Sequence, residues 1–295
     1  METTGRRFVE RSELETVCPD RLAGTALAGL YVAGSLEALA APSVAIVGTR
    51  APSDGGRRIA HTLSRELAAA GVCVVSGLAL GIDSAAHEGA LAAGAPTIGV
   101  LGGGHDHFFP SRNRELAARM IAAGGAVVSP YAPHEPARPH QFLARNGIVA
   151  ALVDAVVVVE AAARSGALNT ASWAADRSIP VLAFPGDIER PKVAGCHALI
   201  RDGATLVRDA ADVLAALPLP LAPVLRPRSA ARVRIDPSDS PATIAVLGEL
   251  RDGERDVELL AARLSLAPGL LLPLLIELEL DGRIERRRGG YALAE

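Results

Sequence analysis

Lysine is almost missing from this chain: among its 30 lysine and arginine residues, Lys192 is the only lysine. No G-x-x-x-x-G-K-[ST] loop is present, which argues against a P-loop nucleotidase. Cysteine is scarce too. Cys18, Cys73 and Cys196 stand far apart and form no C-x-x-C pair, which speaks against a disulfide framework or a thiolate metal site and fits a reducing compartment. Long apolar runs are lacking: the stretch from Ala155 to Ala163 is broken by Glu160, well short of the roughly 18–20 residues that a membrane span requires. The N-terminal METTGRRFVERSELET carries charges where a secretory signal needs an apolar core, so a cytoplasmic protein with no membrane partner is expected. Aromatic residues make up only 3% of the chain.

What is present is globular. The 295 residues are 49% hydrophobic and 21% charged, enough for a sizeable core and, at roughly 150 residues per domain, for about two domains. A net charge of −3 argues against bulk electrostatic attraction to nucleic acid but leaves room for a local basic groove. The near-exclusive use of arginine is read first as genomic base composition, although guanidinium also suits bidentate phosphate recognition.

Between residues 41 and 217, short β-branched apolar runs alternate with alanine-rich amphipathic segments, the pattern of βαβ units on a parallel sheet. Strands are predicted at Val44–Val47, Val72–Ser76, Thr97–Leu101, Ala126–Ser129, Val156–Glu160, Val181–Phe184 and Thr205–Val207. Helices are predicted at Gly55–Ala70, Asp83–Ala93, Arg112–Ala123, Gln141–Leu152 and Leu168–Arg177. Strands that are apolar throughout, such as AVVVV, are buried on both faces and require helices on both sides, a doubly wound arrangement. Residues 1–40 are read as a segment packing on this core, and the Pro/Arg-rich stretch 218–240 as a linker. Residues 241–295 scan as three helices and a β-hairpin with Gly289–Gly290 as its turn, a small winged-helix-like module.

In an open parallel sheet, ligands bind at the carboxyl ends of the strands, where loops lead into helix N-termini. Here those ends read Gly48-Thr49-Arg50, Ser76-Gly77 running on to Asp83, Gly102-Gly103-Gly104, and Glu160 followed by Arg164-Ser165-Gly166 and Thr170. Glycine lets backbone N–H groups approach an anion and hydroxyls add donors, so phosphate is the expected guest. There is no G-x-G-x-x-G, and the second strand ends without the acid that would hold a ribose hydroxyl, which argues against a dinucleotide oxidoreductase. No short spacing offers a nucleophile constellation. Arg50, Arg112, Arg114, Arg138, Arg145 and Arg164 recur near this edge, a distribution that suits an extended polyanion better than a mononucleotide. Phe142 is either a core side chain or a platform on which a base stacks. His105-Asp106-His107 has no third ligand, so no metal is assigned. Asp83, four residues before His87, reads as a helix cap, whereas Glu160 reads either as a base or as a residue that orients the loop after it.

Taken in order, LYVAGSLEAL (30–39), VAIVGTR (44–50), SGLALGIDSAAHEGAL (76–91), GGGHDHFFPSRNREL (102–116), FLARNGIVAAL (142–152), VVVVEAAARSGALNTASWAA (156–175) and FPGDIERPKVAGCHALIRDGATLV (184–207) resemble the DNA-processing protein A (DprA/Smf) family. The resemblance implies an extended Rossmann-like domain that binds single-stranded DNA, forms homodimers, protects incoming strands in natural transformation and helps load RecA recombinase. It implies neither turnover chemistry nor a cofactor. Gly48 and Arg50 match the family's G-[ST]-R contact, Ser76 and Gly77 its S-G loop, and Ser165, Gly166 and Thr170 its S-G-x-L-x-T-A loop. Phe142, Arg145 and Asn146 match F-P-x-R-N-R; Arg138 sits where relatives carry a basic residue, and Arg112 belongs to the basic edge. Gly147 replaces the second arginine of that motif and Leu143 its proline, so a weaker or shifted contact is expected there.

The last helix of the C-terminal module, PGLLLPLLIELELDG, offers apolar and acidic residues where a DNA-reading helix presents donors, which predicts a protein contact or a packing role. Arg286-Arg287-Arg288 is either a phosphate-touching wing or a solvated hairpin. Two rival readings use the same loops. One is a Rossmann enzyme cleaving nucleoside monophosphates, whose P-G-G-x-G-T-x-x-E motif this chain lacks; the other is a small-nucleotide sensor.

Overall fold

In the computed structural model the described residues are 6–217 except 20 and 23, together with 240–250, 256–264, 266–281, 283–287 and 290–293. They fall into two compact units, Met1–Ala222 and Pro223–Glu295. The stretch read as a linker, apart from residue 240, and residues 288 and 289 of the expected hairpin lie outside the described residues.

The larger unit runs β1 (Arg6–Glu10), α1 (Arg11–Val17), β2 (Gly29–Gly34), β3 (Ser43–Val47), α2 (Asp54–Ala69), β4 (Cys73–Ser76), α3 (Ile82–Ala92), β5 (Thr97–Val100), α4 (Arg114–Ala122) and β6 (Ala126–Ser129). It continues with α5 (Pro139–Ala151), β7 (Ala155–Val158), α6 (Gly166–Ala175), β8 (Val181–Ala183), α7 (Ala194–Arg201), β9 (Thr205–Leu206) and α8 (Ala210–Ala216). One nine-stranded sheet results, in the order β1-β2-β6-β5-β4-β3-β7-β8-β9. Strands β3 to β9 pair in parallel, and β2 and β1 extend the β6 edge antiparallel. The sheet is therefore the doubly wound, mostly parallel one that the patterning predicts, and the N-terminal residues supply two of its strands.

The apolar strands build two cores. Ala45, Val47, Val75, Val100, Val156 and Val158 face one side, where Val149 and Ala150 of α5 and Ala167, Ala171 and Ala174 of α6 cover them. Val44, Ile46, Val74 and Val157 face the other, under Leu63 and Leu67 of α2, Ala86 and Ala90 of α3 and Val213 of α8. Successive strand residues point to opposite faces, so β3 is buried at every position. Each fully buried valine, leucine or isoleucine contributes about 1.5–3 kcal/mol. The contact between α2 and α3 is close because Gly89 has no side chain: a Cβ there would lie 2.2 Å from His61 O.

The start of β3 is tied to the N-terminal residues by one polar knot. Arg21 pairs with Asp154 at 2.8 Å and donates to Leu39 O at 2.7 Å and Ala41 O at 2.8 Å, while Ser43 N donates to Asp154 Oδ2 at 2.8 Å. Both side chains are mostly buried, at 13% and 23% exposure. His87 is another buried polar group, fully enclosed, with Nδ1 2.8 Å from Thr97 Oγ1.

In the smaller unit α9 (Pro241–Leu250), α10 (Val257–Leu264) and α11 (Pro268–Leu280) precede an antiparallel pair, β10 (Ile284–Arg287) and β11 (Gly290–Leu293). Arg287 pairs with Gly290. Gly290, expected in the turn, therefore belongs to the β11 ladder. Leu271, Leu275 and Leu278 of α11 are buried with Leu247, Leu260 and Ile284, whereas Leu270, Leu272 and Ile276 are exposed. No single described helix is long and apolar enough to cross a membrane.

Removing one partner of a buried pair strands the other charge. Asp154→Ala is expected to lower the unfolding free energy of the larger unit by about 2–4 kcal/mol, read as a lower urea midpoint at unchanged slope; a change within 0.5 kcal/mol, the size of an ordinary surface effect, would show that the knot is not structural.

Candidate nucleic-acid interface

Chain direction across the sheet reverses at β3, whose neighbours are β4 and β7. A crevice opens outside the strand ends at such a reversal, and here it holds a cavity of about 410 Å³. Its walls come from the loops after β3 and β4, from α5 and from the start of α6.

The loop after β3 is held from three sides. Thr49 N donates to Glu160 O at 2.7 Å, and a Cβ on Gly48 would lie 2.6 Å from Ile82 Cγ1, so only glycine fits there. Glu160 Oε2 accepts from Ser53 N at 2.8 Å, and Ser53 Oγ in turn accepts from Gly56 N at 3.0 Å, capping α2. Lys192 Nζ donates to Ala51 O at 2.7 Å. Glu160 therefore orients the loop before α2.

The loop after β4 stores strain. Leu78 is fully buried at φ +56°, in the left-handed region that costs a non-glycine residue of order 1–2 kcal/mol. Its side chain packs with Leu101, Leu116 and Met120, and its carbonyl accepts from Asn113 Nδ2 at 2.8 Å. Gly81, at φ +88°, holds the N-cap position of α3, so Asp83 does not cap that helix as expected. Asp83 Oδ2 instead accepts from Gly77 N at 3.0 Å and Ala79 N at 3.3 Å, clamping the loop. Burial pushes the Asp83 carboxyl up, against the lowering influence of Arg145 and these N–H donors.

Arg145 lies at the centre. It is only 4% exposed, and its hydrogen bonds to described residues run through Nη1 alone, to Gly77 O at the end of β4 and Val100 O at the end of β5. Nε is buried without a partner. Burial lowers its pKa to about 10, with Asp83 opposing, so the guanidinium remains charged at neutral pH. No carboxylate forms a direct ion pair with it among the described residues. A Cβ on Gly77 would lie 2.6 Å from Arg145 Nη1, which explains the glycine.

Phe142 is half-buried. Its ring packs on Gly102, stands edge-on to Phe109 at 5.9 Å and 67°, and lies 5.8 Å from the exposed Arg50 guanidinium. Asn146 Nδ2 donates to Gly166 O at 3.2 Å, and Ser165 Oγ accepts from Ala167 N at 3.3 Å as the cap of α6. Gly48, Arg50, Gly77, Phe142, Arg145, Asn146, Ser165, Gly166 and Thr170 thus gather around the cavity.

Three expected residues do not line it. Ser76 is fully buried and its hydroxyl donates to Ile46 O at 2.7 Å, stitching β4 to β3. Arg112 is exposed in the turn Ser111–Asn113, and Arg138 is exposed at the start of α5. Arg114 lies over Phe108 and Arg164 is exposed, so of the six arginines only Arg50 and Arg145 line the cavity. Asn113 is a further residue of this edge; its sequence signal is the R-N-R of residues 112–114, in which the asparagine turns inward between two exposed arginines. Gly147, where the family motif has arginine, faces Trp173: a Cβ there would lie 3.2 Å from the indole, and Arg177 covers the indole at 5.0 Å. In the loop His105–His107, His105 Nε2 bonds Val127 O at 3.0 Å and Asp106 pairs with Arg6.

A doubly wound sheet with a cation buried at its switch point and a three-helix, one-hairpin second unit defines a Rossmann-like protein with a winged helix. The chain belongs to the DprA/Smf family of DNA-processing proteins: the model for DNA recombination-mediator protein A matches residues 20–218, and that for the DprA winged helix domain matches residues 230–290. It is 37% identical over 277 residues to Protein Smf of Escherichia coli K12, which covers 92% of this chain and 74% of that protein. It is 46% identical over 180 residues to a DNA processing protein DprA of Mycobacterium tuberculosis, spanning 46% of that longer protein. The X-ray structure of DprA from Streptococcus pneumoniae superposes with a TM-score of 0.66 at 38% identity, over 72% of this chain and 75% of that one. The structure from Helicobacter pylori, described for its single-stranded DNA binding mode, superposes at 0.64 and 29% identity, over 73% and 97%.

Burial, with Arg145 as the lesser cause, depresses the His87 pKa from 6.5 to about 3. The unfolded chain therefore takes up a proton that the folded chain refuses, and stability falls as pH drops from about 6.5 towards 3, by up to about 1.4 kcal/mol per pH unit. His87→Gln is expected to reduce the slope of unfolding free energy against pH in that window by about one proton; an unchanged slope would show that His87 titrates normally.

Proposed function

We propose that the switch-point cavity grips the backbone phosphates of single-stranded DNA, and that the chain works in the cytoplasm as a homodimeric recombination mediator that shields incoming strands and helps load RecA recombinase. The observation that carries this reading is Arg145: a charged guanidinium, 4% exposed, with hydrogen-bonding capacity left over and no direct ion pair among the described residues, on the wall of a cavity about 410 Å³ in volume that Asp83 also lines. Burying such a charge unpaired is costly, and an anion in the cavity offsets that cost. Family membership and the single-stranded DNA binding described for the Helicobacter pylori relative support the same guest.

In this reading a phosphate sits against Arg145, with the backbone N–H groups of Arg50 and of Gly166 at the N-terminus of α6 adding donors. Arg50 at the rim holds the next phosphate, Asn146 keeps the α6 loop in place and Thr170 forms part of the cavity wall. Ser76 is a structural residue, and Arg112 and Arg138 stand outside the grip. Recognition is by binding, without turnover: Asp83, the acid on the cavity wall, already accepts from Gly77 N at 3.0 Å and Ala79 N at 3.3 Å. In the second unit the exposed Leu270, Leu272 and Ile276 of α11 suit a protein contact better than base edges.

Fluorescence anisotropy of labelled oligothymidine across a salt series tests the grip. Affinity is expected to fall with salt, to exceed that for a duplex of equal length, and to drop about tenfold in Arg50→Ala with the log–log salt slope flatter by about 0.7. Arg145→Lys keeps the charge but loses the fork and is expected to lose more. A flat salt response would overturn the phosphate grip, and release of free base from a panel of nucleoside monophosphates would replace this reading with the enzyme alternative.

A further inference from the structure

Away from the ligand edge, several exposed arginines of the larger unit are answered by acids: Arg7 by Glu13, Arg11 by Glu15, Arg190 by Asp187 and Arg208 by Asp212. Helix α2 is different. Arg57, Arg58 and Arg65 are exposed and make no side-chain hydrogen bond or ion pair among the described residues, and the acids of the same helix, Asp54 and Glu66, are not paired with them. In a chain of net charge −3, three such cations on one helix are not the by-product of a general excess of positive charge.

Their spacing makes them a surface. Arg58, the exposed Thr62 and Arg65 follow one another at i, i+4 and i+7 and share one face, with Arg57 beside the first of them. At 1.5 Å per residue the stripe is about 10 Å long. Leu63 and Leu67 bury the opposite face of the helix against the sheet, and none of the three arginines lines the switch-point cavity. Arg58 is turned back along the helix: a Cβ on Gly55 would lie 4.0 Å from its Nη2, which places the guanidinium over the first turn of α2, next to the loop that carries Arg50. The helix contains no phenylalanine, tyrosine or tryptophan on which a base could stack. Guanidinium and hydroxyl donors without a ring match phosphate oxygens and nothing else of a nucleic acid.

We propose that the outer face of α2 is a second nucleic-acid surface, distinct from the switch-point cavity, on which Arg57, Arg58 and Arg65 hold backbone phosphates of DNA beyond the segment in the cavity. The inference takes the identity of the polyanion from the single-strand reading and adds a separate place where it is held. Nucleic acid is favoured over an acidic protein segment because the stripe starts beside Arg50, where a strand leaving the cavity already presents its next phosphates. Contacts of this kind position the backbone and read no bases.

The test uses the full chain and two labelled oligothymidines, one of about 6 residues, which fills the cavity alone, and one of about 25, which extends beyond it. Combined Arg57→Ser, Arg58→Ser and Arg65→Ser is expected to weaken the long strand about tenfold, to flatten its log–log salt slope by about 2 and to leave the short strand unchanged. Lysine at the same three positions keeps the charge and is expected to retain most of the long-strand affinity. Equal weakening of both strands by the serine variant, or no weakening of either, overturns the second surface while leaving the phosphate grip standing. Labelled oligoglutamate that binds wild type more tightly than the long strand does, and loses that affinity in the serine variant, would assign the face to an acidic protein segment and overturn the proposal. Failure of wild type to bind either strand overturns both the surface and the grip.

Discussion

The arrangement of the ligand edge depends on one buried guanidinium. Arg145 reaches from α5 under two strand ends, and through Nη1 it holds Gly77 O and Val100 O together. Both carbonyls are at places where a strand has stopped and its ladder no longer supplies donors, so the arginine does for these loops what hydrogen bonding within the sheet does for the strands. Asp83 completes the frame from the other side by accepting from Gly77 N and Ala79 N. A buried arginine and a buried aspartate therefore fix the same glycine through its carbonyl and its amide. The pair does not close into an ion pair, which leaves the guanidinium with electrostatic demand directed to the cavity.

Rigidity around that centre comes from short polar straps rather than from added core. Glu160 fixes Ser53, Lys192 fixes Ala51, Asn113 fixes the strained Leu78, and Asn146 fixes Gly166. Each strap is worth about 1 kcal/mol, more where it is buried or charged. Together they hold backbone N–H groups in place before any ligand arrives, which lowers the ordering cost of binding. Strain at Leu78 is tolerated because its side chain is buried among Leu101, Leu116 and Met120.

Elements whose signal is local were legible in the sequence. The apolar strands β3 to β9 and the helices α2 to α6 lie within a few residues of their predicted positions, since alternation of β-branched runs with amphipathic helices is a short-range pattern. Strands β1 and β2 carried no such pattern. They are brief, β2 is bounded by glycines, and its partner β6 lies about a hundred residues downstream, so their pairing is decided by tertiary structure. The glycine and hydroxyl loops were placed correctly at the strand ends, but sequence did not separate arginines that line the cavity from those that do not. Arg112 and Arg114 flank Asn113, and only the asparagine is turned inward. Ser76 looked like a ligand group and proved to be a stitch between strands. Gly147 looked like a lost contact, and the structure gives its cause in the Trp173 indole that occupies the space beside it.

The central claim is that the demand left on Arg145 is met by a strand phosphate. A crystal structure of the full chain with a short oligothymidine tests it most directly. The account predicts a phosphate oxygen about 2.7–2.9 Å from the Arg145 guanidinium, between the Gly48–Arg50 and Ser165–Gly166 loops. A strand bound to another face, with the Arg145 cavity holding only solvent, would contradict it.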